Sequence, residues 1–90
     1  MEEDDLPVFP GFREIALHRR RQVIEELAAA RREASLSQTE VAARMGTSQS
    51  AVARLESGEL DARLSTLERY AAAVGRGIEL RVRPVDGGRP

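Results

Sequence analysis

A short segment between Gly46 and Gly58 carries hydrogen-bonding side chains on its exposed face, of the kind that read the edges of bases. Glutamine can pair with adenine N6 and N7, arginine with guanine O6 and N7, and serine with several partners. The thirteen residues Gly46-Thr47-Ser48-Gln49-Ser50-Ala51-Val52-Ala53-Arg54-Leu55-Glu56-Ser57-Gly58 read as a tight turn, a helix over 49–57 capped by Ser48, and a glycine stop. Before them, Ser37-Gln38-Thr39-Glu40 is a capping box, in which the serine hydroxyl and the glutamate carboxylate each take a free backbone donor. It opens a helix that runs to about Met45, where Gly46 ends it. Helix, turn and helix with a hydrogen-bonding outer face point to DNA; on an unrelated protein the same face would be ordinary solvated surface.

Catalytic chemistry has little to work with. The single histidine, His18, has no cysteine or second histidine beside it, and there is no glycine-rich phosphate loop or metal-binding motif. No metal or cofactor is expected, and the chain reads as a binding protein, not an enzyme. With no cysteine the redox compartment is left open. The first residues are acidic (Glu2, Glu3, Asp4, Asp5), and no apolar run reaches membrane-spanning length, so neither a secretory signal nor an anchor is expected. A cytoplasmic location is the default.

Net charge by itself argues against nucleic acid, because the formal total is −1 and DNA affinity rests largely on cations facing phosphate. The distribution of the charges weakens that objection. All 14 basic residues are arginines, and setting aside the four acids at 2–5 leaves 14 cations against 11 anions.

Ninety residues make one domain, near the size where a single core is marginal and association of copies is a common support. Pro7, Pro10 and Gly11 predict an extended acidic arm over 1–11. From Phe12 to Ala34 there is no proline or glycine, and Ile24, Leu27, Ala28 and Arg31 share one helical face. Phe12, Ile15, Ala16 and Val23 suggest an earlier turn, leaving one long helix or two. After a loop, Ser65-Thr66-Leu67-Glu68 reads as another capping box, and Leu67, Tyr70, Ala71 and Val74 mark the inner face of the helix that follows. Tyr70, at helical spacing, is assigned to the core. Gly75 and Gly77 close that helix, and the period then changes to two, with Ile78, Leu80 and Val82 alternating with Glu79, Arg81 and Arg83. The chain thus divides into an arm (1–11), a helical domain (12–75), a strand (76–84) and a tail (85–90).

Residues 24–74 resemble the helix-turn-helix domain of the lambdoid phage repressor and Cro class, the Xre family. The pattern is Leu27…Arg31…Leu36-Ser37-Gln38…Val41-Ala42…Met45-Gly46…Ser48-Gln49…Val52…Leu55-Glu56-Ser57-Gly58. With the strand added, Arg63-Leu64-Ser65-Thr66-Leu67 through Leu80-Arg81-Val82 is similar to small DNA-binding antitoxins of the HigA and HipB type. The resemblance implies an all-α, lambda-repressor-like bundle of four to five helices with a C-terminal β-strand. It also implies a sequence-specific transcriptional regulator, a dimeric repressor that places helix 49–57 in the major groove of double-stranded DNA. The alternative it implies is an antitoxin that neutralises a toxin and represses its own operon.

By the same resemblance Gln49, Ser50 and Arg54 read bases, while Gln38, Ser48, Arg44 and Arg63 face phosphate. Arg31 and Glu56 form a structural pair that holds the end of the recognition helix. Two departures stand out. The loop Glu59-Leu60-Asp61-Ala62-Arg63 carries one cation where the family is often richer, and Ser35 stands where a glycine often ends the first helix.

An isolated strand leaves its backbone groups open, so residues 77–83 need a partner. The same strand of a second copy, antiparallel across a twofold axis, would set Ile78, Leu80 and Val82 over the helical cores. Pairing with Leu6 to Phe9 of the same chain is the competing arrangement. The dimer suits a near-palindromic operator with half-sites about 34 Å apart. Arg19-Arg20-Arg21 reads as a solvated helix face, a tether for the acidic arm, or a phosphate patch. The arm itself is compatible with disorder, with self-cover, or with a short partner-binding segment.

Overall fold

The computed structural model describes residues 12–59, 62–82 and 84. The expectations for the arm at 1–11, the tail at 85–90 and pairing with Leu6 to Phe9 lie outside the described residues. Four helices follow one another: α1 (Phe12–Glu33), α2 (Gln38–Met45), α3 (Gln49–Ser57) and α4 (Leu64–Ala73). The described residues contain no strand. Of the one-helix and two-helix alternatives for the first segment, the single helix is observed, 22 residues long and so about 33 Å.

The core draws on every helix. Ile24, Leu27 and Ala30 come from α1, Val41, Ala42 and Met45 from α2, and Val52 and Leu55 from α3. Leu67, Tyr70, Ala71, Ala73 and Val74 complete it from α4 and the residue after it. Ala42 is buried on α2, the helix packed most extensively against α3. A small side chain there lets the two backbones approach.

All four helices close in the same way, with a residue just past the helix turned into the left-handed region and two amides reaching back to free carbonyls. After α2, Gly46 (φ 75°) and Thr47 donate to the Ala43 and Ala42 carbonyls, at 3.3 and 2.9 Å. After α1 the same geometry is imposed on Ser35, the one non-glycine residue at positive φ (60°) among the described residues. Its N–H and that of Leu36 donate to the Arg32 and Arg31 carbonyls at 3.0 and 3.1 Å. The family's glycine position therefore keeps its conformation here despite carrying a Cβ.

One expectation changes. α4 starts at Leu64 with Arg63 at the cap position and no side-chain cap, so the box read at Ser65-Thr66-Leu67-Glu68 does not form. The Arg63 carbonyl accepts from the Thr66 and Leu67 amides at 3.0 and 3.1 Å, which places Ser65 inside the first turn, where its helical backbone cannot cap. Residues 76–82 form no ladder in the single chain. Ile78 packs against the core, whereas Leu80 is 65% and Val82 102% exposed, so only the first of the three apolar positions is covered.

Candidate nucleic-acid interface

α3 is a short helix held at both ends. Ser48 accepts the Ala51 N–H on its hydroxyl at 3.1 Å, and Gly58 turns left-handed (φ 80°) beyond Ser57. Val52 and Leu55 face inward, and the opposite side presents Gln49, Ser50 and Arg54, all exposed. Arg54 makes no side-chain hydrogen bond among the described residues, so its guanidinium fork is free to meet a guanine edge. Ser50 shares its hydroxyl with Ser48 at 3.2 Å.

α2 delivers the next part. Its capping box is closed, the Glu40 N–H donating to the Ser37 hydroxyl at 3.0 Å and the Ser37 N–H to Glu40 Oε1 at 2.7 Å. The Ser37 backbone bond holds the Glu40 carboxyl below the usual carboxylate range. Gln38 thereby sits in the first turn of α2 beside the start of α3. Its Oε1 accepts from Gln49 Nε2 at 2.7 Å, and its Nε2 donates to Glu56 Oε1 at 2.9 Å. The sequence places Gln38 and Gln49 in separate roles; the fold links them.

Glu56 is where the four helices meet. Arg31 of α1 donates to it twice, Nε to Oε2 at 2.7 Å and Nη2 to Oε1 at 3.1 Å, while Arg31 Nη1 donates to the Leu36 carbonyl at 2.9 Å. Tyr70 of α4 donates its hydroxyl to Oε2. Two oxygens thus accept four donors, the full lone-pair capacity of a carboxylate. Burial pushes the Glu56 carboxyl up, but the hydrogen bonds from Arg31, Tyr70 and Gln38 outweigh it and hold the group below the ordinary range. The same contacts act in reverse on their donors. The bond to Glu56 raises the Arg31 guanidinium, and burial, followed by the bond to Glu56, pushes the Tyr70 phenol well up.

The remaining candidates are dispersed. Arg44, at the end of α2, donates Nη1 to the Ala73 carbonyl at 2.8 Å, so part of its guanidinium ties α2 to the last turn of α4. Arg63 is exposed ahead of α4, close in sequence to residues 60–61, which lie outside the described residues. Ile78 packs on the core, while Leu80 and Val82 are exposed. Tyr70 is the residue that sequence reasoning leaves incomplete. Its ring is core, with 0% exposure, yet its hydroxyl belongs to the polar cluster. A signal was present, since a tyrosine that is fully buried generally needs a partner for its O–H.

Among the described residues no helix is long and apolar enough to cross a membrane. The family described as helix-turn-helix matches residues 27–80. Antitoxin HigA1 of Mycobacterium tuberculosis, in strains CDC 1551 / Oshkosh and ATCC 25618 / H37Rv, is 43% identical over 74 residues. That alignment covers 82% of this chain and 49% of the relative, so the chain spans about half the length of the curated relatives it matches. No solved structure matches this chain.

Proposed function

This chain belongs to the helix-turn-helix family, and on that footing we propose that it is a sequence-specific DNA-binding regulator that lays α3 in the major groove. One observation carries the reading. A short helix, capped at both ends and packed on α2, turns Gln49, Ser50 and Arg54 outward together. Arg54 reads guanine bidentately, Gln49 reads adenine and Ser50 adapts to its neighbour. Gln38, Ser48, Arg44 and Arg63 meet phosphates around the groove and set the register of the helix, which phosphate contacts do without specifying sequence.

The formal charge of −1 means that one domain has weak electrostatic purchase on DNA. Two domains acting together would offset this. Residues 77–83 pair with the same segment of a second copy, covering Leu80 and Val82, which a single chain leaves exposed. The dimer then reads a near-palindromic operator with half-sites about 34 Å apart and represses by excluding polymerase. Repression is cytoplasmic and requires no cofactor.

Selection of bound duplexes from a random pool tests the proposal, because it reports binding, palindromy and spacing together. An inverted repeat one helical turn apart is expected. Recovery of sequences with no shared motif would overturn it.

The identity to Antitoxin HigA1 supports a second reading, in which the chain neutralises a toxin and DNA binding serves to regulate its own operon. The two readings overlap in their DNA chemistry. They separate on whether a small toxin-like protein is encoded beside the gene or copurifies from the native host.

A further inference from the structure

We propose that Tyr70 is a positioning residue for base reading, aiming the side-chain amide of Gln49 through Glu56 and Gln38. The inference rests on α3 being the helix that enters the groove.

The direction of the chain of bonds is the key. An ionised carboxylate only accepts hydrogen bonds, whereas a glutamine amide both donates and accepts and can rotate by half a turn to exchange the two. Because Glu56 accepts, Gln38 must turn its Nε2 toward it, at 2.9 Å. Gln38 Oε1 then faces α3 and accepts, so Gln49 must turn its own Nε2 toward Gln38, at 2.7 Å. The orientation of the Gln49 amide is in this way inherited from the charge on Glu56. A bidentate pair with adenine needs the carbonyl and the amino group in one order, so this inheritance decides whether Gln49 meets the base ready to bind.

Tyr70 supplies what Arg31 alone does not. The guanidinium approaches Glu56 from α1 and leaves one site on each oxygen. The Tyr70 hydroxyl, arriving from α4, takes the open site on Oε2, so the remaining one, on Oε1, is left for Gln38. Packing does not require that hydroxyl. The ring is fully buried, and a phenylalanine would fill the same space. The hydroxyl also helps hold Glu56 ionised, the state that gives the chain its direction. The groups facing Glu56 are Arg31 of α1, Gln38 of α2 and Tyr70 of α4, with Arg20, Arg21 and Glu25 of α1 lining the same recess beside it.

Tyr70→Phe in the full chain is the test, read in two ways. Without DNA, the side-chain amide resonances of Gln38 and Gln49 are followed as Glu56 titrates, and loss of the hydroxyl moves their midpoint to higher pH. With a duplex selected by the wild-type chain, Tyr70→Phe lowers discrimination at the base pair read by Gln49 by about three- to tenfold, a fraction of what a full bidentate contact confers. In a Gln49→Ala background the same change has no further effect, because the side chain being aimed is gone. A purely structural loss would instead lower binding equally in both backgrounds. Gln38→Ala, which cuts the chain at a half-buried position outside the core, alters preference at the same base pair. An unshifted titration, or equal losses in the two backgrounds with selection intact, overturns the role of Tyr70. Failure of the wild-type chain to select any duplex overturns the DNA reading itself.

Discussion

Arg31 grips Glu56 side-on across 25 residues of sequence, with Nε–Oε2 at 2.7 Å and Nη2–Oε1 at 3.1 Å. The two side chains are 13% and 10% exposed, so the pair is largely out of water yet open at its rim. Arg31 Nη1 meanwhile donates to the Leu36 carbonyl just past the left-handed Ser35. One guanidinium therefore clamps the α1–α2 turn and the end of α3 at once.

A lysine cannot reproduce that planar fork. Arg31→Lys keeps the charge but loses at least two of the three bonds, and leaves Glu56 and the Leu36 carbonyl under-satisfied. Destabilisation of about 2–4 kcal/mol is expected, from about 1–3 kcal/mol per buried polar group left unpaired. Urea unfolding monitored by circular dichroism measures it, and a midpoint equal to wild type would show that the clamp contributes nothing.

The pH dependence follows from the same carboxylate. Glu56 is held below its ordinary value of 4.5 in the fold, so its contribution to stability is fully present above that value and is lost as pH falls through the folded pKa. The exposed Glu40 carboxyl shifts in the same direction and titrates in the same window. Stability is expected to be flat with respect to these groups from neutral pH down to about 5 and to fall below it. Glu56→Gln is expected to be less stable at neutral pH and to lose less on acidification, as followed by melting temperature across a pH series.

Ser35 holds a conformation that disfavours a Cβ, with φ at 60° and both of its closing bonds made. Ser35→Gly relieves that strain while making the unfolded chain more flexible, for a net gain of about 0.5–1 kcal/mol. In a domain of this size that raises the melting temperature by about 2–8 °C. A lower melting temperature would show that the serine makes a compensating interaction of its own.

Arg54→Ala with Gln49→Ala separates reading from holding. Both side chains are exposed, so the fold should persist while preference for the selected duplex falls and nonspecific binding remains. Each lost base contact is worth about 1–3 kcal/mol of discrimination. Unchanged preference in a competition gel-shift assay would refute the assignment of these residues.

Removal of residues 77–90 tests the pairing of chains. A monomer is expected, with operator binding weakened by about 10²–10⁴-fold as the benefit of tethering two reading helices is lost. Leu80→Glu, which leaves the helical bundle intact, should act in the same direction. An unchanged sedimentation mass on truncation would exclude the strand as the interface.

The helix boundaries of α2 and α3 are legible in the sequence because their signals are local. Ser37 with Glu40, Ser48 with Ala51, and the stops at Gly46 and Gly58 all act within five residues, where chain connectivity alone brings the groups together. The apolar periodicity of α1 and α4 likewise names most of what these two helices give to the core, since burial of one helical face needs no knowledge of its partner. The outer face of α3 is visible for the complementary reason: its polar residues fall opposite Val52 and Leu55. The start of α4 differs from its expected place because a local box at Ser65 competes with an earlier first turn, and the earlier turn is the one that forms. Only the tertiary structure decided how the reading face is held. Tyr70 meets Glu56 across 14 residues, Gln38 meets Glu56 across 18, and Arg44 reaches the Ala73 carbonyl across 29. Such contacts depend on the angles and distances at which helices cross, set by the packing of all four together.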